Sequence, residues 1–449
     1  MKASLFQTTP IFLFCSLLSL SFWGGLQAQD LATIMKEWAA PDYFPDHVVL
    51  SAQEDPAHAI GINWRSSPKS KVGYIEIIPA EDDPNFRKKA KRLPAKRSLV
   101  DTSGASEDGF ESAFYEVVVT DLNPNTLYAY RVANDSFKSE WHQFKTQPET
   151  TGSLSFLYVG DAQNYILELW SRVIRTAFKT APEADFFIHA GDLVNDAHDE
   201  SQWNEWFAAG GFIHSQIPTI AVPGNHEYRG LDKESPRENK ALSLQWKAQF
   251  SFPNNGPEGL KETCYYVDYP NLRVIALNSN EAIELQADWL KKVLANNPKK
   301  WTVVTYHHPV FSASGGRDNP ELRQHWQPLF EQYKVDLALQ GHDHSYARGA
   351  VYEETKQVNK NDENRLKGPV YVVSVSGGKM YNISTEGWES FGAKREKAGE
   401  NTQLFQHISI AEDQLTYRSF TPTGKLFDQF VLTKKKNETY YQSKPNVGD

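Results

Sequence analysis

From about Pro41 to Thr146, apolar and polar positions alternate in short runs: HVVLSA (47–52), IGINW (60–64), VGYIEIIP (72–79), AFYEVVV (113–119) and LYAYRVA (127–133). Turn residues separate them. A period of two marks half-buried strands, and this many in roughly a hundred residues predict an antiparallel β-sandwich. The stretch LNPNTLYAYRV (122–132) places a turn before Tyr128 and Tyr130. A tyrosine there can return its hydroxyl to the backbone, as in a tyrosine corner.

Beyond a short linker at 148–152 the pattern changes. Apolar runs SLSFLYV, ADFFIHA, PTIAV, LRVIALN, WTVVTYH and VDLALQ alternate with helical stretches near 166–179, 200–209, 285–295 and 321–333. Strand alternating with helix predicts an α/β layered domain. Further strand-like runs after Gly368 (PVYVVSVS, HISIAED, LTYRSF, FDQFVLT) suggest a second sheet. The expected whole is an all-β sandwich domain followed by an α/β domain, an αββα sandwich of two mixed sheets. The expected boundaries are 1–28 for a signal peptide, 29–149 for the sandwich, 150–435 for the α/β domain and 436–449 for a frayed tail.

The signal reading rests on Lys2, an apolar run from Ile11 to Trp23, and Leu26-Gln27-Ala28 ahead of Asp30. These are the three regions of a cleavable export signal. The run is short for a membrane span, so a mature chain without a transmembrane anchor is expected outside the cytoplasm, periplasmic or extracellular. Cleavage near Ala28 removes Cys15 and leaves Cys264 as the only cysteine. An internal disulfide and a four-cysteine zinc site are both excluded. At 40% hydrophobic and 23% charged residues, the chain has the material for a packed core and is not a disordered one. A net charge of -9 disfavours a broad nucleic-acid face, and no stable nucleic-acid complex is expected. The basic cluster at 87–97 reads as a solvated loop. Neither a G-x-S-x-G elbow nor an H-E-x-x-H pair occurs.

Five strand ends carry hard donors. FLYVG runs into Asp161, FFIHAG into Asp192, TIAVPG into Asn225 and His226, TVVTY into His307 and His308, and DLALQG into His342, with His344 two residues on. Ligands gather beyond the carboxyl ends of strands in α/β sheets. Glycines before Asp161, Asp192, Asn225 and His342 are expected to ease sharp turns there. Two carboxylates, an amide and imidazoles without thiolate suit a pair of hard or borderline metal ions. A bridging carboxylate holds such ions about 3.5–4 Å apart, where they activate water and neutralise phosphoryl charge. His226 is the natural proton donor to a leaving group.

The set GDAQ (160–163), GDLVND (191–196), GNHE (224–227), HHP (307–309) and GHDH (341–344) resembles the calcineurin-like metallophosphoesterase superfamily. With the front strands, it resembles the purple acid phosphatase branch, which joins a fibronectin-III-like domain to a dinuclear catalytic domain. The resemblance implies hydrolysis of phosphate monoesters by in-line attack of a metal-bound hydroxide. It implies Asp161 and His344 on a first metal, Asp192 as bridge, and Asn225, His307 and His342 on a second, with His226 facing the phosphate. The ions would come from Fe, Zn or Mn, and the partner is a small phosphorylated substrate. His308 and Arg317 are candidate substrate contacts, although His308 could also cap its turn and Arg317 could be a solvated loop residue.

Two positions depart from the branch. Asn195 stands where it has the tyrosine that binds ferric iron and gives the colour, and Gln163 stands where the wider superfamily often has histidine. Both are additional candidate donors, as neutral amides. The expected protein is colourless, and its first site divalent or weakly held. A phosphodiesterase or nucleotidase on the same metals, or a non-catalytic binding protein on an inherited fold, remain the alternative readings. The oligomeric state is open. Glu227 is read as a partner of His226 or a helix-start residue, His189 as core, and Arg348 as a loop anchor through a carboxylate.

Overall fold

The computed structural model describes residues 28–106, 109–150, 152–230, 240–353, 364–384, 387–435 and 438–444. The expected signal segment lies outside them except for Ala28. After helix α1 (Ala28–Ala39), the front domain places β1 (Asp46–Ala52), β2 (Ile60–Ser66), β3 (Gly73–Pro79), β4 (Lys91–Pro94), β5 (Lys96–Asp101), β6 (Glu111–Val119), β7 (Leu127–Asn134) and β8 (His142–Lys145) in two antiparallel sheets. Their orders are β5-β6-β2-β1 and β4-β3-β7-β8. Ile62, Trp64, Ile75, Tyr115, Tyr130 and Val132 form the core between them.

Strand β2 is buried along its whole length, because its second face meets the α/β domain. Asn63 on that face donates to the Ala248 carbonyl at 3.3 Å. The two tyrosines of the expected corner divide the work. The Tyr128 hydroxyl accepts the Asn123 N–H at 2.9 Å within the domain. The Tyr130 hydroxyl donates to the Ser215 carbonyl at 2.7 Å across the domain boundary.

In the α/β domain, β9 (Leu154–Val159), β10 (Phe186–His189) and β11 (Thr219–Ala221) are parallel. A hairpin follows, of β12 (Tyr228–Gly230) and β13 (Lys240–Leu242). The strands β14 (Tyr265–Asp268), β15 (Leu272–Ala276), β16 (Trp301–Tyr306), β17 (Leu337–Gln340), β18 (Tyr346–Tyr352), β19 (Asn364–Val373) and β20 (Lys394–Gly399) form a mixed sheet, ordered β14-β15-β16-β17-β19-β18-β20. The chain then returns as β21 (Phe405–Ala411), β22 (Gln414–Phe420), β23 (Leu426–Lys435) and β24 (Glu438–Ser443), extending β11-β10-β9 on the β9 side.

Alternation along the buried strands builds the layers. Val274, Val303, Leu339 and Val372 face the first sheet, whereas their neighbours Ile275, Val304, Ala338 and Tyr371 face the outer helices. Helices α2 (Ser171–Thr180) and α3 (Glu200–Gly210) cover the first sheet, and α4 (Leu244–Gln249) contacts the front domain. Helices α5 (Ile283–Ala295), α6 (Pro320–His325) and α7 (Gln327–Gln332) cover the second. The two domains share a sheet edge: Ser51 of β1 pairs in parallel with Thr219 of β11, and the Leu50 N–H donates to the His214 carbonyl at 2.9 Å.

Three expectations are corrected. The helix expected over 321–333 breaks at Trp326, and Pro328, with no N–H to donate, opens the second piece. The first helical stretch opens with a π turn over Ile166–Trp170. The expected tail contains β24, which pairs with β23 and meets β19 at Arg365. Tyr441 is buried there, and its hydroxyl accepts from the Arg348 guanidinium. Arg348 itself is held by both oxygens of Asp428, which matches its reading as an anchor.

Candidate metal centre

Each expected donor lies in the loop just beyond a parallel strand. Four take left-handed backbone conformations that L-residues seldom adopt: Asp161 (φ 45°), Asp192 (φ 51°), His342 (φ 76°) and His344 (φ 48°). Such strain persists where surrounding bonds over-determine it. Asp161 donates its N–H to Gly191 and accepts from Gly377 at 2.8 Å. The glycines play a different part from the one expected, because only Gly191 of the four has a positive φ. A Cβ on Gly224 would lie 2.1 Å from Asp192 Oδ1, and one on Gly341 would lie 2.6 Å from Asp161 Oδ2. They are small because carboxylates press against them. His342 and His344 sit in a turn, not on a strand, and reach different ends of the cluster.

The donors converge. His307 Nε2 lies 3.2 Å from Asp192 Oδ2, 3.2 Å from Asn225 Oδ1 and 3.1 Å from His342 Nδ1. His344 Nε2 lies 3.9 Å from Asp161 Oδ1 and 3.0 Å from Gln163 Nε2. Backbone amides fix the carboxylates: the His342 N–H reaches both Asp161 oxygens at 2.8 Å, and the His226 N–H reaches Asp192 Oδ1 at 2.9 Å. The His307 ring donates Nδ1–H to the Ala190 carbonyl at 2.9 Å and so turns Nε2 inward.

Burial alone would raise both carboxyls. It prevails at Asp161, with the Asp192 charge adding to it. At Asp192 the charge and hydrogen bond of His307, with His226, outweigh burial and hold the group well below the usual carboxylate range. Burial pushes His307 down, but Asp192 and Asp161 reverse this and carry it to about 9. A field that charges a fully buried imidazole also favours metal cations. Burial, reinforced by the His307 charge, takes His342 far down and His308 to about 3. Neutral imidazoles are the form that binds metal. Clusters of Asp161, Asp192 and His307, and of His307, His308 and His342, bring donor atoms within 4.8 Å of one another. The donor chemistry and the convergence fit a metal pair.

The neighbours are placed as follows. His226 Nδ1 donates to the Asn195 carbonyl at 2.5 Å, leaving Nε2 3.9 Å from Asp192 Oδ2. Glu227 turns to the backbone, accepting the N–H groups of Asp192, Leu193 and Gly224 at 2.9, 2.8 and 2.7 Å. His308 is oriented by Ser279, a residue without a motif to reveal it, at 2.9 Å. Arg317 is anchored, not free in solvent: it donates to the His342 carbonyl at 2.8 Å and lies over the Tyr381 ring. A cavity of about 520 Å³ opens beside Asn225 and His308, lined also by Tyr228, Ser279, Glu281 and Asp318. Another of about 460 Å³ touches Asn195, Asn164 and Tyr165.

Residues 141–346 match the calcineurin-like phosphoesterase family, and residues 45–146 match the purple acid phosphatase N-terminal domain. The chain carries a calcineurin-like phosphoesterase domain behind a purple acid phosphatase N-terminal domain. It is 25% identical to probable purple acid phosphatase 20 of Arabidopsis thaliana, over 68% of each chain. It is 25% identical to acid phosphatase type 7 of Danio rerio, over 72% of this chain and 78% of that one. A relative named as probable inactive purple acid phosphatase 24, also from Arabidopsis thaliana, is 26% identical over 84% of this chain and 68% of its own. The fold of this chain superposes on a purple acid phosphatase from yellow lupin seeds with a TM-score of 0.73 at 20% identity, covering 88% of this chain and 75% of that one. No helix among the described residues is long and apolar enough to cross a membrane.

Proposed function

We propose that this chain is an exported phosphomonoesterase working through two metal ions. The observation that carries the reading is the convergence of Asp161, Asp192, Asn225, His307, His342 and His344 from five strand-end loops. In this reading Asp161 and His344 would hold the first ion, Asp192 would contribute to both, and Asn225, His307 and His342 would hold the second. When bound, the ions supply an activated water and neutralise phosphoryl charge. His226 presents Nε2 toward the site, because Nδ1 is engaged with Asn195, and gives a proton to the departing alkoxide. His308, fixed by Ser279, and Arg317, fixed by the His342 carbonyl, orient the phosphate from the second-ion side. The sandwich over 29–149 and a catalytic domain running from 150 through β24 are proposed as the functional units, with export directed by residues 1–28.

The test is metal content by elemental mass spectrometry together with turnover of 4-nitrophenyl phosphate and bis-4-nitrophenyl phosphate. Two ions per chain and preference for the monoester support the reading. Preference for the diester would make the protein a phosphodiesterase on the same centre. A well-folded chain with neither metal nor turnover, after Mn, Zn and Fe have been offered, would make it a binding protein.

A further inference from the structure

Gln163 is fully buried at the first-ion end of the cluster. Its Nε2 lies 2.8 Å from Asp192 Oδ2 and 3.0 Å from His344 Nε2. Its Oε1 is buried and has no hydrogen-bond partner among the described residues. The two ends of a carboxamide occupy almost the same space, and which atom faces a site is decided by its surroundings. In the drawn orientation, the carbonyl oxygen has nothing to accept from.

The surroundings favour the other orientation once a cation is present. The His344 ring faces the Lys379 carbonyl through Nδ1 at 3.1 Å, so Nδ1 carries the proton and Nε2 offers a lone pair. Asp192 Oδ2 is a carboxylate oxygen. With the amide turned, three acceptors surround one point, which is repulsive unless a cation lies among them. Their spacing suits that cation: ligands at about 2.1 Å from an ion, and at right angles, are about 3.0 Å apart. The Gln163 N–H also donates to the Asp192 carbonyl at 3.1 Å, which ties the residue to the bridging loop.

We propose that Gln163, through Oε1, is a ligand of the first metal ion. This rests on the two-metal reading above. A neutral amide oxygen in place of a phenolate favours divalent ions in this position, and gives no phenolate-to-iron charge-transfer band.

The experiment is Mn(II) titration by calorimetry, with the bound ions counted by elemental mass spectrometry and examined by electron paramagnetic resonance. The wild type, Gln163→Met, Gln163→Glu and Asn195→Ala are compared, and the melting temperature of each metal-free protein is recorded. The wild type is expected to hold two spin-coupled ions. Gln163→Met should lose about tenfold or more in affinity for one ion, keep the other, and lose the coupled signal. Gln163→Glu should hold both ions at least as tightly, and Asn195→Ala should keep both. Two ions with unchanged affinities in Gln163→Met would overturn the proposal. So would one ion in the wild type rising to two in Gln163→Met, which would show the amide nitrogen blocking the position. If Gln163→Met melts early, Gln163→Glu decides, and weaker binding there overturns the proposal. A wild type that binds no ion would overturn the two-metal reading itself, before any variant is made.

Discussion

The buried carboxylate of Glu227 accepts the backbone N–H of Asp192 at 2.9 Å, and so holds the residue proposed to bridge two metal ions. It also binds the amides of Leu193 and Gly224, which joins the loops after β10 and β11. Glu227→Ala would leave three buried N–H groups without acceptors, at roughly 1–3 kcal/mol each. A lower melting temperature and about a 10- to 100-fold loss of metal affinity are expected. Glu227→Gln should also weaken binding, since it turns an NH₂ toward N–H donors. Thermal melts and Mn(II) titration check both, and unchanged affinity in either would remove this role.

Gly224 is required by contact, not by backbone conformation. The 2.1 Å between its would-be Cβ and Asp192 Oδ1 means that Gly224→Ala must displace that carboxylate. Loss of metal is expected, with the β-sandwich intact, read by metal content alongside circular dichroism.

His226→Ala should retain both ions and lose turnover by about 10²–10⁴. The loss should be smaller for 4-nitrophenyl phosphate than for an alkyl phosphate, because a good leaving group needs little protonation. Equal losses on both substrates would assign His226 to phosphate binding.

Stability should fall with acid through histidines remote from the metal centre. His47 is stacked on Phe207, with its Nε2 at Asn204, and lies near Asp46 and Arg65. His214 is stacked on Trp206. Burial, first of all, lowers each from 6.5 to about 3, and takes nearby His189 well below its ordinary value. Between those values the unfolded chain takes up protons that the folded one does not. This contribution to stability is therefore complete above pH 6.5 and is lost as pH falls toward 3, by the order of a few kcal/mol per group. Melting temperature should be flat near neutrality and fall below about pH 6.5, with a shallower fall in His214→Phe. A pH-independent melt over that range would contradict the assignment.

The positions of the candidate donors were legible because their signals are local. A buried parallel strand reads as an apolar run, and a hard donor directly after it stands at the strand's carboxyl end whatever the rest of the chain does. That carried Asp161, Asp192, Asn225, His307 and His342, along with the layered fold and the order of its domains. What spacing along the chain could not carry was approach between distant loops. Glu227 meets Asp192 across 35 positions, and Gln163 meets His344 across 181. Tyr441 closes on Arg348 across 93, which makes a strand of an expected tail. The left-handed turns at the donors, the need for Gly224 to be small, and the continuous edge from β1 to β11 arise the same way. A period of two or 3.6 reports which face a side chain takes. Only packing decides what it meets there.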